Sequence, residues 1–317
     1  MTLRLNVDSI SWKRHFREVA NSFGDLIPVV KGNGYGFGRS TLIQHAATLS
    51  SEIAVGSVYE VHDVPKNCVA IVLTPAGREL PESLPANIIL TVGSLHHIEN
   101  LKNNSWRGSV VVKLRSSMNR YGANKDELTD VLAALKNAGL TQVGWSIHPP
   151  LDGNRSDHLA EIKNWMLQIS SDLAWFVSHV DANGIKQLRQ EFVKNKIRVR
   201  SGTALWLGDK SMTHLMADVL DIRAIGQGET AGYRNVKITQ DGTIAMIGAG
   251  TSHGVHLVGA ELSPFHFNQQ RLALVEPSHM HTSMVFIPKG DKLPLVGDNV
   301  DVQQPLTRVY PDIISWI

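Results

Sequence analysis

Cysteine is almost absent: Cys68 is the only one in 317 residues, which excludes an intrachain disulfide and any cysteine-based zinc cluster. Neither sign of charge is in excess. The formal net charge is +2, and no run of Lys or Arg rises above an ordinary solvated surface, so nucleic acid and anionic membrane surfaces are not expected partners. Long hydrophobic runs are missing as well. The stretch 1–26 carries Arg4, Lys13, Arg14 and Arg17 around no apolar core, so no signal peptide of the usual kind is expected, and no segment approaches transmembrane length. There is no internal repeat, low-complexity segment or long linker. What remains is 43% hydrophobic and 19% charged, enough for a substantial core, and the expectation is a soluble cytoplasmic enzyme.

Short apolar runs with strand character recur through the first two thirds of the chain. They are Ile27–Val30, Ala54–Val58, Val69–Leu73, Ile88–Val92, Ser109–Leu114, Gln142–Ile147, Ala174–Ser178 and Ile197–Arg200. Amphipathic stretches lie between several of them. Leu128, Val131, Leu132 and Leu135 fall at i, i+3, i+4 and i+7, with Gly139 as the stop. Leu159, Ile162, Trp165, Met166 and Ile169 form a second such face, and Gly184 to Phe192 a shorter third. Eight strands with intervening helices are what a (β/α)8 barrel of TIM type requires, and such barrels carry their chemistry at the carboxyl ends of the strands. From about Met216 helical periodicity fades. Thr243–Ile247, Arg271–Val275, Met284–Ile287 and Asn299–Val302 alternate with Gly, Pro, Asp and Ser, which reads as a β domain. The expected fold is thus α/β plus β: a barrel domain over 1–212 and a C-terminal β domain over 213–317.

The most informative segment is Val29-Val30-Lys31-Gly32-Asn33-Gly34-Tyr35-Gly36-Phe37-Gly38. A lysine at the end of a buried strand is unfavourable unless its amine is neutralised or bonded. A Schiff base to pyridoxal phosphate is one solution. The alternating glycines would let the backbone pass close to a cofactor, and Tyr35 has a hydroxyl to offer a phosphate. The plainer alternative is a strand followed by a flexible glycine loop and an exposed lysine. A nucleotide P-loop fits worse, because no Gly-Lys-Ser/Thr ends the run.

This segment resembles the cofactor-lysine signature of the alanine racemases, the fold type III pyridoxal-phosphate enzymes. The family usually has alanine where Gly32 and Gly34 stand, and often histidine at the place of Phe37. Lys113-Leu-Arg-Ser-Ser-Met-Asn-Arg120-Tyr-Gly is similar to the family's Lys-x-Asp-x-Gly-Met-x-Arg-x-Gly. Arg120 then matches the arginine that bonds the cofactor's phenolic oxygen and approaches the substrate carboxylate. Lys113 matches a lysine that is often carbamylated. Arg115 replaces an aspartate and Ser117 a glycine. Without the resemblance, Lys113 and Arg115 read as alternate residues on one strand, both solvated at their tips.

Further matches follow. His148, followed by Pro149-Pro150, falls on the histidine that packs against the pyridine ring, although a lone histidine is more often structural. Ser178-His179-Val-Asp-Ala-Asn183-Gly184 lies where the family has a phosphate-side loop, which makes Asn183 a candidate. Arg198-Val-Arg200-Ser-Gly202-Thr203 resembles Val-Arg-x-Gly-Ile. Arg200 would face the pyridine nitrogen and, being always charged, keep it unprotonated, while Gly202 and Thr203 would contact the phosphate. The alternative is a surface arginine pair. Gly228-Glu-Thr-Ala-Gly-Tyr233 resembles the segment with the catalytic tyrosine, which implies that Tyr233 acts across a homodimer interface with the partner's lysine. An isolated tyrosine in a β segment is otherwise core or rim.

In Val275-Glu-Pro-Ser-His279-Met280-His281, Met280 matches the residue whose backbone amide helps hold the substrate carboxylate, and His279 stands beside it on the substrate side. The family has cysteine and aspartate where this chain has His279 and His281. Thr251 replaces the entrance tyrosine, and no counterpart of the late phosphate-binding tyrosine is found. The resemblance therefore implies a pyridoxal 5'-phosphate-dependent amino-acid racemase with Lys31 and Tyr233 as its two bases. One alternative reads His279 and His281 as alternating strand positions that take a divalent metal, as in D-serine dehydratases or D-threonine aldolases, although no metal ligand set is assigned. The other is a non-catalytic cofactor-binding protein.

Overall fold

The computed structural model describes residues 2–259 and 261–317. The chain divides into two compact units. One comprises His15–Gly32 and Arg39–Gly208, the other Met1–Arg14, Asn33–Gly38 and Asp209–Ile317.

After β1 (Leu3–Val7), which belongs to the second unit, the strands of the first follow in order. They are β2 (Leu26–Pro28), β3 (Glu52–Val55), β4 (Val69–Val72), β5 (Ile88–Val92), β6 (Ser109–Lys113), β7 (Thr141–Ser146), β8 (Ala174–Val177) and β9 (Ile197–Ser201). All are parallel and pair in the order β2-β9-β8-β7-β6-β5-β4-β3. A parallel bridge between Val29 and Ala54 joins the two ends of that series, with Val30 N donating to Ala54 O at 2.8 Å. The eight apolar runs of the sequence are these eight strands, with ends moved by a few residues. They are apolar almost throughout because both of their faces are covered. Ile27, Val29, Ala54, Ile71, Val111 and Phe176 form one buried cluster among them.

The helices are set by their ends. Lys125–Asn137 starts with a capping box between Asn124 and Glu127, and Gly139 follows in a left-handed conformation (φ 65). Arg155–Gln168 starts with the same device between Asn154 and Asp157. Ala182–Glu191 is capped by Asp181, whose carboxylate accepts from Gly184 N at 2.7 Å. The helical layer is less regular early on. Among the described residues, β3 is followed by the 3-10 turn Val58–Asp63 and no helix separates β4 from β5.

In the second unit, β10 (Thr213–Ile225) runs through the middle of a nine-stranded sheet. It pairs antiparallel with Gly242–Ile247 and Asn299–Val302, and Gly242–Ile247 pairs in turn with Ser283–Pro288. The segment expected as one strand at Arg271–Val275 is two short ones, Gln270–Arg271 and Ala273–Leu274. The expected barrel domain of 1–212 needs correcting at its start. β1 pairs antiparallel with β10 from Leu3 opposite Ala217 to Val7 opposite Thr213, and parallel with Ile313–Trp316. Leu3, Leu5 and Val7 are fully buried. Their alternation marks a half-covered strand, but nothing local says that its partners lie at the other end of the chain.

Asn33–Gly38 also packs with this unit. Asn33 Nδ2 donates to the carbonyl oxygens of Leu306 (2.8 Å) and Val309 (2.6 Å). A Cβ on Gly36 (φ 91) would stand 2.9 Å from Leu306 O. The Phe37 ring lies 5.1 Å from Trp12 and 6.0 Å from Trp316. Part of the glycine-rich signature is therefore a packing device.

Candidate active site

The first unit gathers its titratable side chains where strands end. Beyond β2 the backbone reaches Lys31, whose neighbours are tied down. Trp206 Nε1 donates to Val29 O at 2.9 Å. Glu60 accepts from Gly32 N at 3.0 Å and from Gly56 N at 2.7 Å. A Cβ on Gly56 would lie 3.0 Å from Lys31 Cβ, so glycine there makes room for the lysine. Lys31 opens to solvent, yet its amine is held below the ordinary lysine range. Desolvation is the main cause, Arg120 and Arg200 add to it, and Glu60 opposes them. Gly32, Gly34, Gly36 and Gly38 have φ of 59, 63, 91 and 79, and Tyr35 has φ 54. The alternation of glycines is thus demanded by the backbone.

Lys113, the last residue of β6, is only 5% exposed, and the reading of it as a solvated strand tip is wrong. Burial, and then Arg200 and Arg120, push its amine down to about 7. Arg115 does point outward, and it pairs with Glu127 at 3.3 Å. Beyond β7, His148 is pushed down to about 2 by burial, with Arg200, His179, Lys113 and Arg120 all acting in the same direction. Its ring is a neutral imidazole at any ordinary pH. It lies 4.3 Å from the ring of His179.

Arg198 and Arg200 stand two residues apart on β9, buried at 7% and 6% exposure, so they are not a surface pair. Their surroundings differ. Arg198 meets two carboxylates, Asp25 (2.8 Å) and Glu52. Arg200 has no carboxylate among the described residues. Its Nη2 donates to Ile147 O at 2.9 Å, while its Nε is buried with no hydrogen-bond partner. Burial lowers it to about 10, and it remains charged at neutral pH. A buried N–H without an acceptor is costly, and here it marks a place for one.

Arg120 sits exposed on a loop that is closed at its base. Arg115 N donates to Ala123 O and Ala123 N to Lys113 O, each at 2.9 Å. At Gly122 (φ 118) a Cβ would fall 2.4 Å from the Leu114 carbonyl carbon, so only glycine lets the loop return this closely. The Arg120 guanidinium stands 4.9 Å from the Tyr121 ring centre. Lys31, Lys113, Arg120 and Arg200 thus act on one another or on His148, with Glu60 the only acid that registers among them. Such a surplus of cations suits a ligand with phosphate and carboxylate groups.

The remaining candidates of this unit are more peripheral. Asn183 is exposed in the first turn of Ala182–Glu191. Gly202 and the exposed Thr203 begin the one-turn helix Thr203–Leu207.

In the second unit, Tyr35 is 5% exposed and Tyr233 is 85% exposed. Tyr233 lies in the turn between the two-residue strands Thr230–Ala231 and Val236–Lys237. Its ring is 4.6 Å from that of His279. Residues 279–281 form a loop before Ser283–Pro288 and not the alternating strand expected. His279 Nε2 bonds Glu276 Oε1 at 2.7 Å, whereas His281 Nδ1 lies 2.9 Å from Ser252 Oγ. The two imidazoles serve different partners, and no group of three or more His, Cys, Asp or Glu that could hold a metal occurs among the described residues. Met280 is exposed, and its carbonyl accepts from Ser252 N at 2.8 Å.

Sequence reasoning missed two acids. Glu60 had a readable signal in the capping box Ser57-x-x-Glu60. Glu276 had only its spacing of three from His279, since its other partners, Tyr233 N and Arg234 N, lie more than forty residues upstream.

A ring of eight parallel strands with lysines and arginines at its carboxyl ends is a barrel of TIM type, and the chain adds a β unit to it. Residues 7–205 match the family model of the alanine racemase N-terminal domain, and the chain belongs to the alanine racemase family. It is 23% identical to an alanine racemase of Marinobacter nauticus, with 96% of this chain and 92% of that protein covered. In fold it is similar to the alanine racemase of Bartonella henselae with covalently bound pyridoxal phosphate, at a TM-score of 0.76 and 19% identity over 100% of both chains. It is also similar to the alanine racemase of Bacillus anthracis with bound L-Ala-P, at a TM-score of 0.74 and 18% identity over 95% of this chain and 85% of that one. The barrel followed by a β domain, expected from the sequence, is the fold of these structures.

Proposed function

We propose that this protein is a pyridoxal-phosphate-dependent amino-acid racemase in which Lys31 and Tyr233 of the partner subunit are the two bases. The observation that carries the reading is Lys31 itself. Its amine has a lowered pKa and stands among arginines at the end of a barrel strand. The residues present fit the cofactor. The buried Arg200 Nε lacks an acceptor, which a ring nitrogen would provide, and the surplus of cations matches a phosphate and a phenolate. When bound, the cofactor supplies the electron sink that makes a Cα–H bond acidic.

Each side chain then has a defined task. Lys31 Nζ anchors the cofactor and holds the Cα proton on one face. The Tyr233 phenol oxygen of the partner subunit holds it on the other, and reversal exchanges their roles. Arg120 would bind the phenolic oxygen and the substrate carboxylate. His148, a neutral imidazole, would pack on the ring without adding charge. Arg200, charged at working pH, would keep the ring nitrogen unprotonated. Tyr35, Asn183, Gly202 and Thr203 would hold the phosphate, and Met280 and His279 would serve the substrate side. The homodimer follows from the role of Tyr233.

The metal-assisted lyase reading needs His279 and His281 to converge on one ion, and they take separate partners. The test is incubation of cofactor-loaded protein with L- and D-amino acids in deuterated water, with and without a chelator. Cα deuterium in both enantiomers, insensitive to the chelator, is the expected result. Release of a keto acid or aldehyde that the chelator abolishes would turn the assignment to a lyase. The absence of any exchange would turn it to a binding protein.

A further inference from the structure

We propose that Glu276 is a positioning residue for Tyr233, holding both the turn that carries the phenol and the imidazole that packs against it. The inference rests on the reading of Tyr233 as one of the two bases.

The turn has little of its own to define it. Its flanking strands pair Thr230 with Lys237 and Ala231 with Val236, two bonds between 228–229 and Ile238 extend them, and inside the turn the backbone makes one long bond, Asn235 N to Gly232 O at 3.2 Å. Glu276 supplies what is missing. Its side chain is 3% exposed. Oε1 accepts from Tyr233 N at 2.8 Å and from His279 Nε2 at 2.7 Å, while Oε2 accepts from Arg234 N at 3.0 Å. One carboxylate thus binds consecutive backbone amides, the first belonging to the residue whose side chain matters. Gly232 (φ 77) leaves the space, since a Cβ there would stand 2.3 Å from Glu276 Oε1.

The same carboxylate orients His279. By accepting from Nε2 it selects the tautomer protonated there and turns the ring against the phenol at 4.6 Å. Burial pushes the Glu276 carboxyl up, but the bonds from His279, Tyr233 N and Arg234 N together outweigh it and leave the group below the ordinary carboxylate range. It is therefore an anion at neutral pH, able to accept all three bonds. Proton transfer depends steeply on placement, and this exposed phenol has its amide fixed from below and its ring fixed from one side.

The test compares Glu276→Ala, Glu276→Gln and Tyr233→Phe, alone and combined, in the full-length cofactor-loaded protein. The first readout is amide hydrogen exchange in the peptide that spans 232–235, which needs no turnover. Glu276→Ala is expected to speed exchange at Tyr233 and Arg234 by about tenfold or more, and Glu276→Gln, which keeps an acceptor oxygen, by less. The second readout is Cα deuterium uptake from each enantiomer. Glu276→Ala is expected to slow deuterium uptake from the enantiomer whose Cα proton Tyr233 removes by about tenfold or more, with uptake from the other enantiomer and the cofactor absorbance unchanged. Added to Tyr233→Phe, it should cost nothing further.

Unchanged exchange at the two amides overturns the proposal. So does faster amide exchange with wild-type deuterium uptake from both enantiomers, or an additive loss on top of Tyr233→Phe. Should Glu276→Ala fail to fold, Glu276→Gln carries both readouts. Full racemisation by Tyr233→Phe would remove the two-base reading instead, and amide exchange would still decide whether Glu276 holds the turn.

Discussion

Two regions hold the residues proposed for the chemistry, and they are built in different ways. At the barrel end, Lys113, His148 and Arg200 sit on or just beyond strands whose register is fixed by a ladder of backbone hydrogen bonds. Position there is collective, and the cost is electrostatic: cations are desolvated beside one another, which lowers Lys31, Lys113 and His148 together. In the β unit, Tyr233 stands on an exposed turn held chiefly by one buried carboxylate. A ladder tolerates the loss of any single bond, while a turn that hangs on one side chain does not. The barrel half should therefore fail through charge or backbone sterics, and the β half through a single contact.

The largest effect is expected at Lys31. Lys31→Ala should remove the visible absorbance of lysine-bound cofactor and reduce racemisation by at least about a thousandfold. Retained absorbance would show that the barrel half is not organised around this amine. Next comes Tyr233→Phe, which should keep the absorbance and slow Cα deuterium uptake from one enantiomer, the one whose proton Tyr233 removes, by roughly a hundred- to ten-thousandfold. Equal loss of uptake from both enantiomers would erase the difference between the two regions.

A matched pair of glycine substitutions sharpens the contrast. Gly122→Ala drives a Cβ into the Leu114 backbone, 2.4 Å away, in a left-handed conformation. It should cost about 1–3 kcal/mol in denaturant unfolding. Gly232→Ala meets only the tip of the Glu276 side chain. It should cost less globally but raise amide exchange around Tyr233.

The effect expected for Lys113→Met is set apart from the others by its dependence on pH. Folding lowers the Lys113 pKa from 10.5 to about 7. Below about pH 7 both states are protonated and the burial penalty is complete. Between about pH 7 and 10.5 the unfolded state binds more protons, so this group makes stability rise with pH. Lys113→Met should be more stable than the parent at pH 6, by about 1–4 kcal/mol. It should also lose this part of the rise, as read by thermal unfolding across pH.

The barrel was legible because its signals are local. A parallel strand covered on both faces reads as an unbroken apolar run, and Leu128, Val131, Leu132 and Leu135 with Gly139 announce a helix within one short window. Lys31 stood out because a charge at the end of an apolar run calls for a reason, whereas Arg120 and Arg200 were singled out by the family resemblance of their motifs. β1 was not assigned, since its partners lie some two hundred residues or more along the chain. The loop at His279 was misread as a strand for a related reason. Alternation of side-chain type carries no information about whether a ladder partner is available, and Glu276, His279 and Ser252 impose a loop instead.

By itself the sequence determined the eight-strand order, the helix caps, the left-handed glycines after Lys31 and which cations end strands. Each of these depends on backbone preference or burial within a short window. Only the tertiary structure decided that Lys113 is buried with its amine lowered to about 7, that Arg198 is paired while Arg200 keeps an unused N–H, and that Glu276 bonds the turn of Tyr233. Those properties belong to pairs of residues from distant segments. The energy of a buried charge or an unpaired donor is set by what the fold brings within a few ångströms, and no window along the chain contains it.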